Sequence, residues 1–272
     1  ARVYAAGGAW EEAGDVERAM SAYEKASEID VTYADIFERA RILLERGGHH
    51  GRLADLTQRR LDAGGDASTL VELHETHAAL ALSAGDRNGA REAFRRALAL
   101  EPNRIGTLRK LAELSLEEQD YRAAAETLIR IARLRQDREE LRWVFFTLGD
   151  LYDRHMPDPR RAEAAFSRVL KLLPEDLETM DRLAELYIRE NNLEKAVPML
   201  QRLYDIEIDP DERRRHRLRI ARAHEASGDA RTAERVLDET RRVDPTDLVV
   251  LRAMADLYER QNAPSALAMH LG

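Results

Sequence analysis

The sequence predicts an all-α protein, folded as a solenoid of tandem helix-turn-helix hairpins. One observation is a Gly-Asp pair that recurs along the chain, followed at fixed offsets by a small, a large apolar and a second small residue. Another is a recurring pattern of leucine or methionine, a small residue, two variable residues and tyrosine. A third is the proline that follows several of these segments. Self-similarity at a fixed period is typical of repeat architectures, in which each unit packs on its neighbours.

Each hairpin is predicted from the same parts, in the order in which the chain supplies them. In the clearest unit, Gly85 ends the first helix and Asp86 caps the second, because glycine tolerates the turn and aspartate accepts backbone N–H groups. Ala90 then lets two helices approach closely, and Phe94 fills the groove between them. Pro102 stops the second helix, since it cannot donate a backbone hydrogen bond.

These residues resemble the tetratricopeptide repeat family, as do those after Gly14 and Gly228 and the segments that end at Tyr152, Tyr187 and Tyr258. The unit of that family has roughly 34 residues. The resemblance covers the whole chain and implies a right-handed α-solenoid, or superhelix, of about seven and a half tandem hairpins. The predicted domain is a single solenoid over residues 1–272, with units at 1–33, 34–67, 71–104, 105–138, 142–175, 177–210, 214–247 and 248–272, the last one truncated.

Several units depart from the pattern. The second has an irregular turn at residues 47–51, and the turn at residues 156–159 is about one residue longer than usual. Pro198 falls inside a predicted second helix, where we expect a bend and one missing backbone bond. Longer linkers precede the third, fifth and seventh units. We therefore expect the first helices of these units to start early, with a change of superhelical pitch at each linker.

Composition and motifs exclude several classes of function. The chain has no cysteine, which excludes disulfides, thiolate metal sites and cysteine nucleophiles. Its net charge of −8 argues against nucleic acid as a partner. Phosphate-loop, dinucleotide-binding and nucleophile-elbow motifs are missing from the sequence. His74 and His77 are one residue short of the zinc-protease spacing, and we interpret them as packing residues, with adventitious metal binding as the alternative. We predict a chain that is not an enzyme, with no catalytic residue, no metal site and no cofactor.

The sequence gives weaker indications about source and location. Of its 43 basic residues only four are lysine, which suggests a GC-rich bacterial genome. The chain begins without methionine and ends without a polar cap, as an excised fragment would. The compartment stays open between the cytoplasm, which we favour, and the periplasm. We expect no membrane insertion, because a spanning helix needs about 20 apolar residues.

The family resemblance implies a concave groove lined mainly by the first helices of the hairpins. Carrying the family's groove positions onto this chain gives a candidate set that mixes aromatic and charged side chains. The predicted partner-binding residues are Trp143, Phe146, Asp150, Arg109, Lys110, Glu113, Arg182, Glu185, Arg215, Arg219 and Arg222.

Trp143 and Phe146 have two interpretations. They form a helical stripe separate from the expected core residues Phe145, Leu148 and Tyr152, which suits an aromatic anchor for a partner. Alternatively, both rings pack against the neighbouring helix across the longer linker near residue 140.

The arginines of the seventh unit also have two interpretations. One is a solvated helix face balanced by nearby acids. The other is a grip for an acidic peptide or a phosphate, formed by Arg215, Arg219 and Arg222.

The function that these observations favour is a protein–protein interaction scaffold that binds an extended peptide or a partner helix in the groove. The groove has no asparagine at the position that chaperone-tail clamps of the family use, which argues against that ligand. Self-assembly through uncapped terminal hairpins such as 251–269 is one alternative, with a homo-oligomer as its product. A second is a substrate-recruiting region of a larger enzyme or of a secretion or signalling complex. RNA binding along 213–222 is disfavoured by the net charge.

Overall fold

The computed structural model of the protein describes residues 1–33, 35–134 and 137–261, and this part of the chain is α-helical without strands. Most helices have 11 to 14 residues, as expected for short hairpin repeats. The helices are α1 (Arg2–Glu12), α2 (Val16–Ile29), α3 (Ile36–Arg46), α4 (His50–Asp62), α5 (Ala67–Ser83), α6 (Arg87–Leu100), α7 (Ile105–Glu117), α8 (Tyr121–Leu134), α9 (Arg138–Asp150), α10 (Pro159–Leu172), α11 (Leu177–Arg189), α12 (Leu193–Ile206), α13 (Pro210–Ala226), α14 (Ala230–Val243) and α15 (Leu248–Arg260).

The helices pack as consecutive hairpins, so the predicted all-α repeat architecture is confirmed. On α6, Ala90 and Phe94 are completely buried, as the small-then-large pattern requires. On α10, Phe166 is also completely buried, and its ring lies against Gly149 of α9. A Cβ atom on Gly149 would come within 2.4 Å of that ring. Only glycine therefore permits this close approach of the two helices.

The described residues form two compact units, one with α1 to α8 and the other with α9 to α15. Each unit has its own apolar interior. In the second unit, one cluster is centred on Met180, Leu200, Leu237 and Met254, which are all at most 3% exposed. A single solenoid over the whole chain stays a prediction.

The turns inside the hairpins follow the chemistry predicted from the Gly-Asp pairs. Gly85 adopts φ of +79°, a left-handed conformation that favours glycine, and the Asp86 carboxylate accepts the Gly89 N–H at 2.9 Å. In two units without this glycine, Gln119 and Asn191 take the same left-handed conformation, with φ of 61° and 54°. The geometry of the turn is thus kept when its sequence signature is absent.

Early starts of the first helices in the third, fifth and seventh units are confirmed. The predicted units begin at residues 71, 142 and 214, whereas α5, α9 and α13 begin at Ala67, Arg138 and Pro210. Each of these helices gains about one turn at its N-terminus. The associated change of pitch stays a prediction.

The long turn of the fifth unit is absorbed by a π-helical turn, Leu151–His155, at the end of α9. The Met156 N–H donates to the Leu151 carbonyl at 2.8 Å, five residues back. Asp158 then caps α10. Pro198 lies inside α12, which continues through it to Ile206. The bend expected at Pro198 stays a prediction.

Candidate binding face of the first helices

The candidate residues divide between the two units. Arg109, Lys110 and Glu113 lie on α7 of the first unit, where Arg109 Nε is 3.0 Å from Glu113 Oε1 on the same helix and Lys110 is exposed. The other eight lie on α9, α11 and α13 of the second unit. We call the surface of the second unit that these helices and α15 form the first-helix face. Its residues are Trp143, Phe146, Asp150, Asp181, Arg182, Glu185, Ile188, Arg189, Arg215, Arg219, Arg222, Glu225, Asp256 and Arg260.

A ladder of ion pairs connects neighbouring first helices across this face. Arg182 of α11 contacts Asp150 of α9, with 2.5 Å between Nη2 and Oδ1. Arg219 of α13 pairs with Asp181 of α11. The ladder continues from α13 to α15, where Arg260 Nε is 2.6 Å from Glu225 Oε1. Each pair contributes at most about 1 kcal/mol to the free energy of unfolding. Together the pairs neutralise and orient the charges of the face.

A second row of pairs holds the N-terminal ends of the first helices. Arg142 Nε of α9 is 2.6 Å from Asp176 Oδ2, and Asp176 also accepts the Thr179 N–H at the start of α11. Arg214 of α13 contacts Asp247, the cap of α15, at 3.1 Å. Burial alone would raise the pKa of Asp176, but the Arg142 guanidinium and the Thr179 N–H outweigh it and hold that pKa below its usual value.

Sequence reasoning missed these pairs, although the signal was present. The partners in the ladder are 32 to 38 residues apart, which is close to one repeat length. Arginine and a carboxylate that recur at this separation on first helices predict contact between adjacent units. The first unit contains the same device, because Arg39 Nη1 of α3 is 2.8 Å from Glu11 of α1.

Phe146 contacts the core of its own hairpin. Its ring lies edge-on to Phe166 of α10, with 5.8 Å between the centroids, and the Arg142 guanidinium lies 5.3 Å from the Phe146 ring. Trp143 is half-buried one turn earlier on α9. Packing therefore accounts for part of the Phe146 surface. An anchoring role for Phe146 and Trp143 in partner binding stays a prediction.

The core of α9 differs in part from the expected set. Leu148 is buried as predicted, whereas Phe145 and Tyr152 are only half-buried. The innermost positions belong to Val144 and Leu151, which are 0% and 2% exposed. These two residues share the i, i+4, i+7 stripe with Leu148, and that stripe faces the neighbouring helices.

The three arginines predicted to grip an anion have different surroundings. Arg215 contacts Glu212 on the same helix at 2.8 Å, and Arg219 pairs with Asp181. Arg222 is exposed, and the structure of the described residues shows no carboxylate within ion-pair distance of it. Of these three arginines, Arg222 is the one whose charge no ion pair among the described residues compensates.

Two cavities open beside Arg222. One lies between α11 and α13, has a volume of about 330 Å³, and is lined by Ile188, Asn191, Leu193, Arg219, Arg222, Ala223 and Ala226. The other involves α13, α14 and α15, has a volume of about 300 Å³, and is lined by Leu218, Ala221, Arg222, Glu225, Ala233, Leu237, Ala253, Asp256, Leu257 and Arg260. We call them the α11–α13 cavity and the α13–α15 cavity. Arg222 belongs to both.

Three further features of the described residues concern metal binding, a buried histidine and membrane insertion. No group of three or more His, Asp or Glu side chains within the described ranges could hold a metal ion. The His74 Nδ1 atom is buried without a hydrogen-bond partner, and burial lowers the pKa of this imidazole. Among the described helices, none is both long enough and apolar enough to cross a membrane.

Comparison with known proteins gives a consistent picture of the fold. A family model of the tetratricopeptide repeat matches residues 81–142, and a second one matches residues 179–214. No curated protein matches the chain significantly.

Three solved structures illustrate the similarity. The structure of Naa15/Naa10 bound to HypK-THB has a TM-score of 0.64 at 15% identity, covering 95% of this chain and 38% of that one. The C-terminal part of a TPR repeat-containing protein from Cytophaga hutchinsonii has a TM-score of 0.58 at 14% identity, covering 92% of this chain and 99% of that one. YrrB, described as a TPR protein with an unusual peptide-binding site, has a TM-score of 0.50 at 15% identity, covering 74% of this chain and 98% of that one. At these identities the similarity establishes the fold alone.

Proposed function

Because this chain is a tandem array of tetratricopeptide repeats, we propose that it is a non-catalytic protein–protein interaction scaffold. Its ligand is an extended peptide or a partner helix, bound on the first-helix face of the second unit. The observation that carries this proposal is the ladder of ion pairs from α9 through α11 and α13 to α15.

The ladder favours binding because it orders the face before a ligand arrives. Arg182 and Arg219 have side chains that are only 16% and 18% exposed, so their rotamers are already restricted. Ordering a flexible side chain on binding costs about 0.5–1.5 kcal/mol, and a preorganised surface avoids most of that cost. The two cavities add concave apolar surface between the paired charges. YrrB, which has a similar fold, is a peptide-binding protein by its description.

The absence of cysteine from the sequence permits a clean test of the face. Binders would be selected from a displayed library of random twelve-residue peptides. The site would then be mapped by maleimide labelling of two single-cysteine variants. Glu185→Cys places the only thiol at an exposed position of α11 on the face, and Arg168→Cys places it at an exposed position of α10.

We expect the selected peptides to slow labelling of the Glu185→Cys variant and to leave labelling of the Arg168→Cys variant unchanged. Selection of no binders would refute the scaffold function. Equal protection of both thiols would place binding elsewhere on the chain and refute the assignment of the face. Circular dichroism of both variants controls for changes of fold.

The sequence also predicts two other kinds of partner, a second copy of the chain and the substrate of a larger enzyme or complex. Self-assembly was predicted through the hairpin 251–269, of which residues 262–269 lie outside the described residues. Recruitment of substrate for a larger enzyme or complex depends on sequence beyond this chain. Both stay predictions. The net charge of −8 continues to favour proteins over nucleic acids as partners.

A further inference from the structure

The chemistry of the ligand can be inferred from the charges that the ladder leaves uncompensated. Arg219 gives its Nη1 group to Asp181, whereas its Nη2 atom is buried without a hydrogen-bond partner. Arg222, three residues later, has no carboxylate within ion-pair distance in the described structure. Both arginines line the α11–α13 cavity, and none of the described residues that line it is acidic. This cavity therefore offers the exposed Arg222 guanidinium to an anion, and the positive charge of Arg219 lies beside it.

The number of available donors favours a carboxylate over a phosphate. Phosphate recognition in proteins commonly uses several positive groups, because the ligand carries close to two charges. Here Arg215 is compensated by Glu212 and Arg219 is half-compensated by Asp181. The one exposed and uncompensated guanidinium, that of Arg222, matches a single carboxylate, with which arginine forms paired hydrogen bonds.

Apolar surface lies on both sides of Arg222. Ile188 and Leu193 line the α11–α13 cavity, and Leu237 and Leu257 line the α13–α15 cavity. Their volumes of about 330 and 300 Å³ far exceed the ~30 Å³ that one water molecule occupies in the liquid. Each cavity can therefore admit an aliphatic side chain.

The separation of the cavities sets the spacing of those side chains. The α11–α13 cavity adjoins α11 and the α13–α15 cavity adjoins α14 and α15, and α13 lines both. Packed helices are about 8–10 Å apart. A polyproline II peptide rises about 3.1 Å per residue with three residues per turn, so residues i and i+3 point the same way at about 9 Å. Residues three apart can thus enter the two cavities.

We propose that the ligand of the first-helix face is an extended peptide with two aliphatic residues three positions apart and an acidic residue between them. Its carboxylate pairs with Arg222 on the side of the α11–α13 cavity. The α13–α15 cavity suits an acid less well, because Asp256 lines it in addition to the Glu225–Arg260 ion pair. The inference rests on the proposed binding function and adds the chemistry of the ligand.

The test uses four sets of synthetic nine-residue peptides with leucine at positions 4 and 7. Position 5 is glutamate, glutamine, lysine or phosphoserine, and the other positions are randomised. Affinities are measured by fluorescence anisotropy for the wild-type chain and for the Arg222→Glu, Arg222→Gln and Arg231→Glu variants. Arg231 is an exposed arginine of α14, so Arg231→Glu is a matched control for the change of charge.

We expect the glutamate set to bind wild type about tenfold more tightly than the glutamine set, which corresponds to one charge-assisted hydrogen-bonded pair. Arg222→Glu should reverse the preference in favour of lysine, Arg222→Gln should abolish it, and Arg231→Glu should leave it unchanged. Replacing either leucine of the glutamate set by serine should also weaken binding about tenfold.

Three results would overturn the inference in different ways. Binding of all four sets with equal affinity would refute the acidic ligand while leaving the scaffold function intact. Tighter binding of the phosphoserine set would replace the carboxylate with a phosphate. Binding of none of the sets, together with failure of the random library to yield binders, would refute the scaffold function itself. If the Arg222→Glu variant loses helicity, the Arg222→Gln variant decides the comparison.

Discussion

The contact between Gly149 and Phe166 predicts that a single methyl group destabilises the second unit. A Cβ atom at position 149 would lie 2.4, 2.6 and 2.8 Å from three carbon atoms of the Phe166 ring. The ring cannot move aside, because Phe166 is completely buried and also contacts Phe146. Gly149→Ala must therefore separate α9 from α10 or force Phe166 out of its rotamer.

The expected destabilisation by Gly149→Ala is the difference between two opposing effects. Overpacking of a close-packed core costs about 1–3 kcal/mol, and three contacts below 3.0 Å place this site at the upper end. Alanine in place of glycine stabilises a helix by about 1 kcal/mol because its helix propensity is higher. The net loss is about 2 kcal/mol, or roughly 4–8 °C in the midpoint of thermal unfolding for a unit of this size.

Urea unfolding followed by circular dichroism would measure the effect. Gly106→Ala is the control for helix propensity, because Gly106 lies in α7 with no atom within 4 Å of its added Cβ. That variant should be as stable as wild type or more stable. The Phe166→Leu substitution should recover part of the loss in the Gly149→Ala background. Equal stability of the Gly149→Ala and Gly106→Ala variants would refute the steric argument.

Three further predictions concern stability. Burial lowers the pKa of His216, which faces Arg219 and Asp181, so the unfolded chain binds the proton more readily than the folded one. The free energy of unfolding should therefore fall as the pH drops through about 6.5. Unfolding measured from pH 7.5 to 5 should show a smaller pH dependence in the His216→Val variant than in wild type. A double-mutant cycle of Asp150→Ala and Arg182→Ala should give a coupling of about 0.5–1 kcal/mol that shrinks at high salt, and a coupling of zero would contradict the ladder. Pro198→Ala should restore a backbone donor in α12 and stabilise the second unit by about 2 kcal/mol in urea unfolding.

Much of the fold was predictable because it depends on local pattern. Small and large residues at fixed spacing determine which faces of the helices meet, so Ala90, Phe94 and Phe166 are buried where the repeat places them. The early starts of α5, α9 and α13 followed from linker length alone. The π-helical turn at the end of α9 was not predicted, because an extra residue can be absorbed by a turn, a bulge or a longer loop at similar cost.

The candidate site was less predictable, because the same positions serve two purposes. Motif position identifies Arg182 and Arg219 as groove residues but not whether a ligand or a neighbouring repeat supplies their counter-charge. That choice depends on the length and rotamer of side chains one repeat away, such as Asp150 and Asp181. Phe146 shows the same ambiguity, since a half-buried ring against Phe166 can both pack and remain accessible.

Charge compensation between repeats resolves part of this ambiguity and points to where specificity resides. A cation already paired across helices, such as Arg219 with Asp181, can be recruited by a ligand only by weakening that pair, so its net contribution to affinity is small. An uncompensated cation such as Arg222, which lines both cavities, gives a ligand carboxylate the full interaction. In the proposed binding mode, paired residues set the shape of the first-helix face, and Arg222 selects among ligands that fit that shape. Substitution at Arg222 should change which peptides bind, whereas substitution at Arg182 should change how tightly all of them bind.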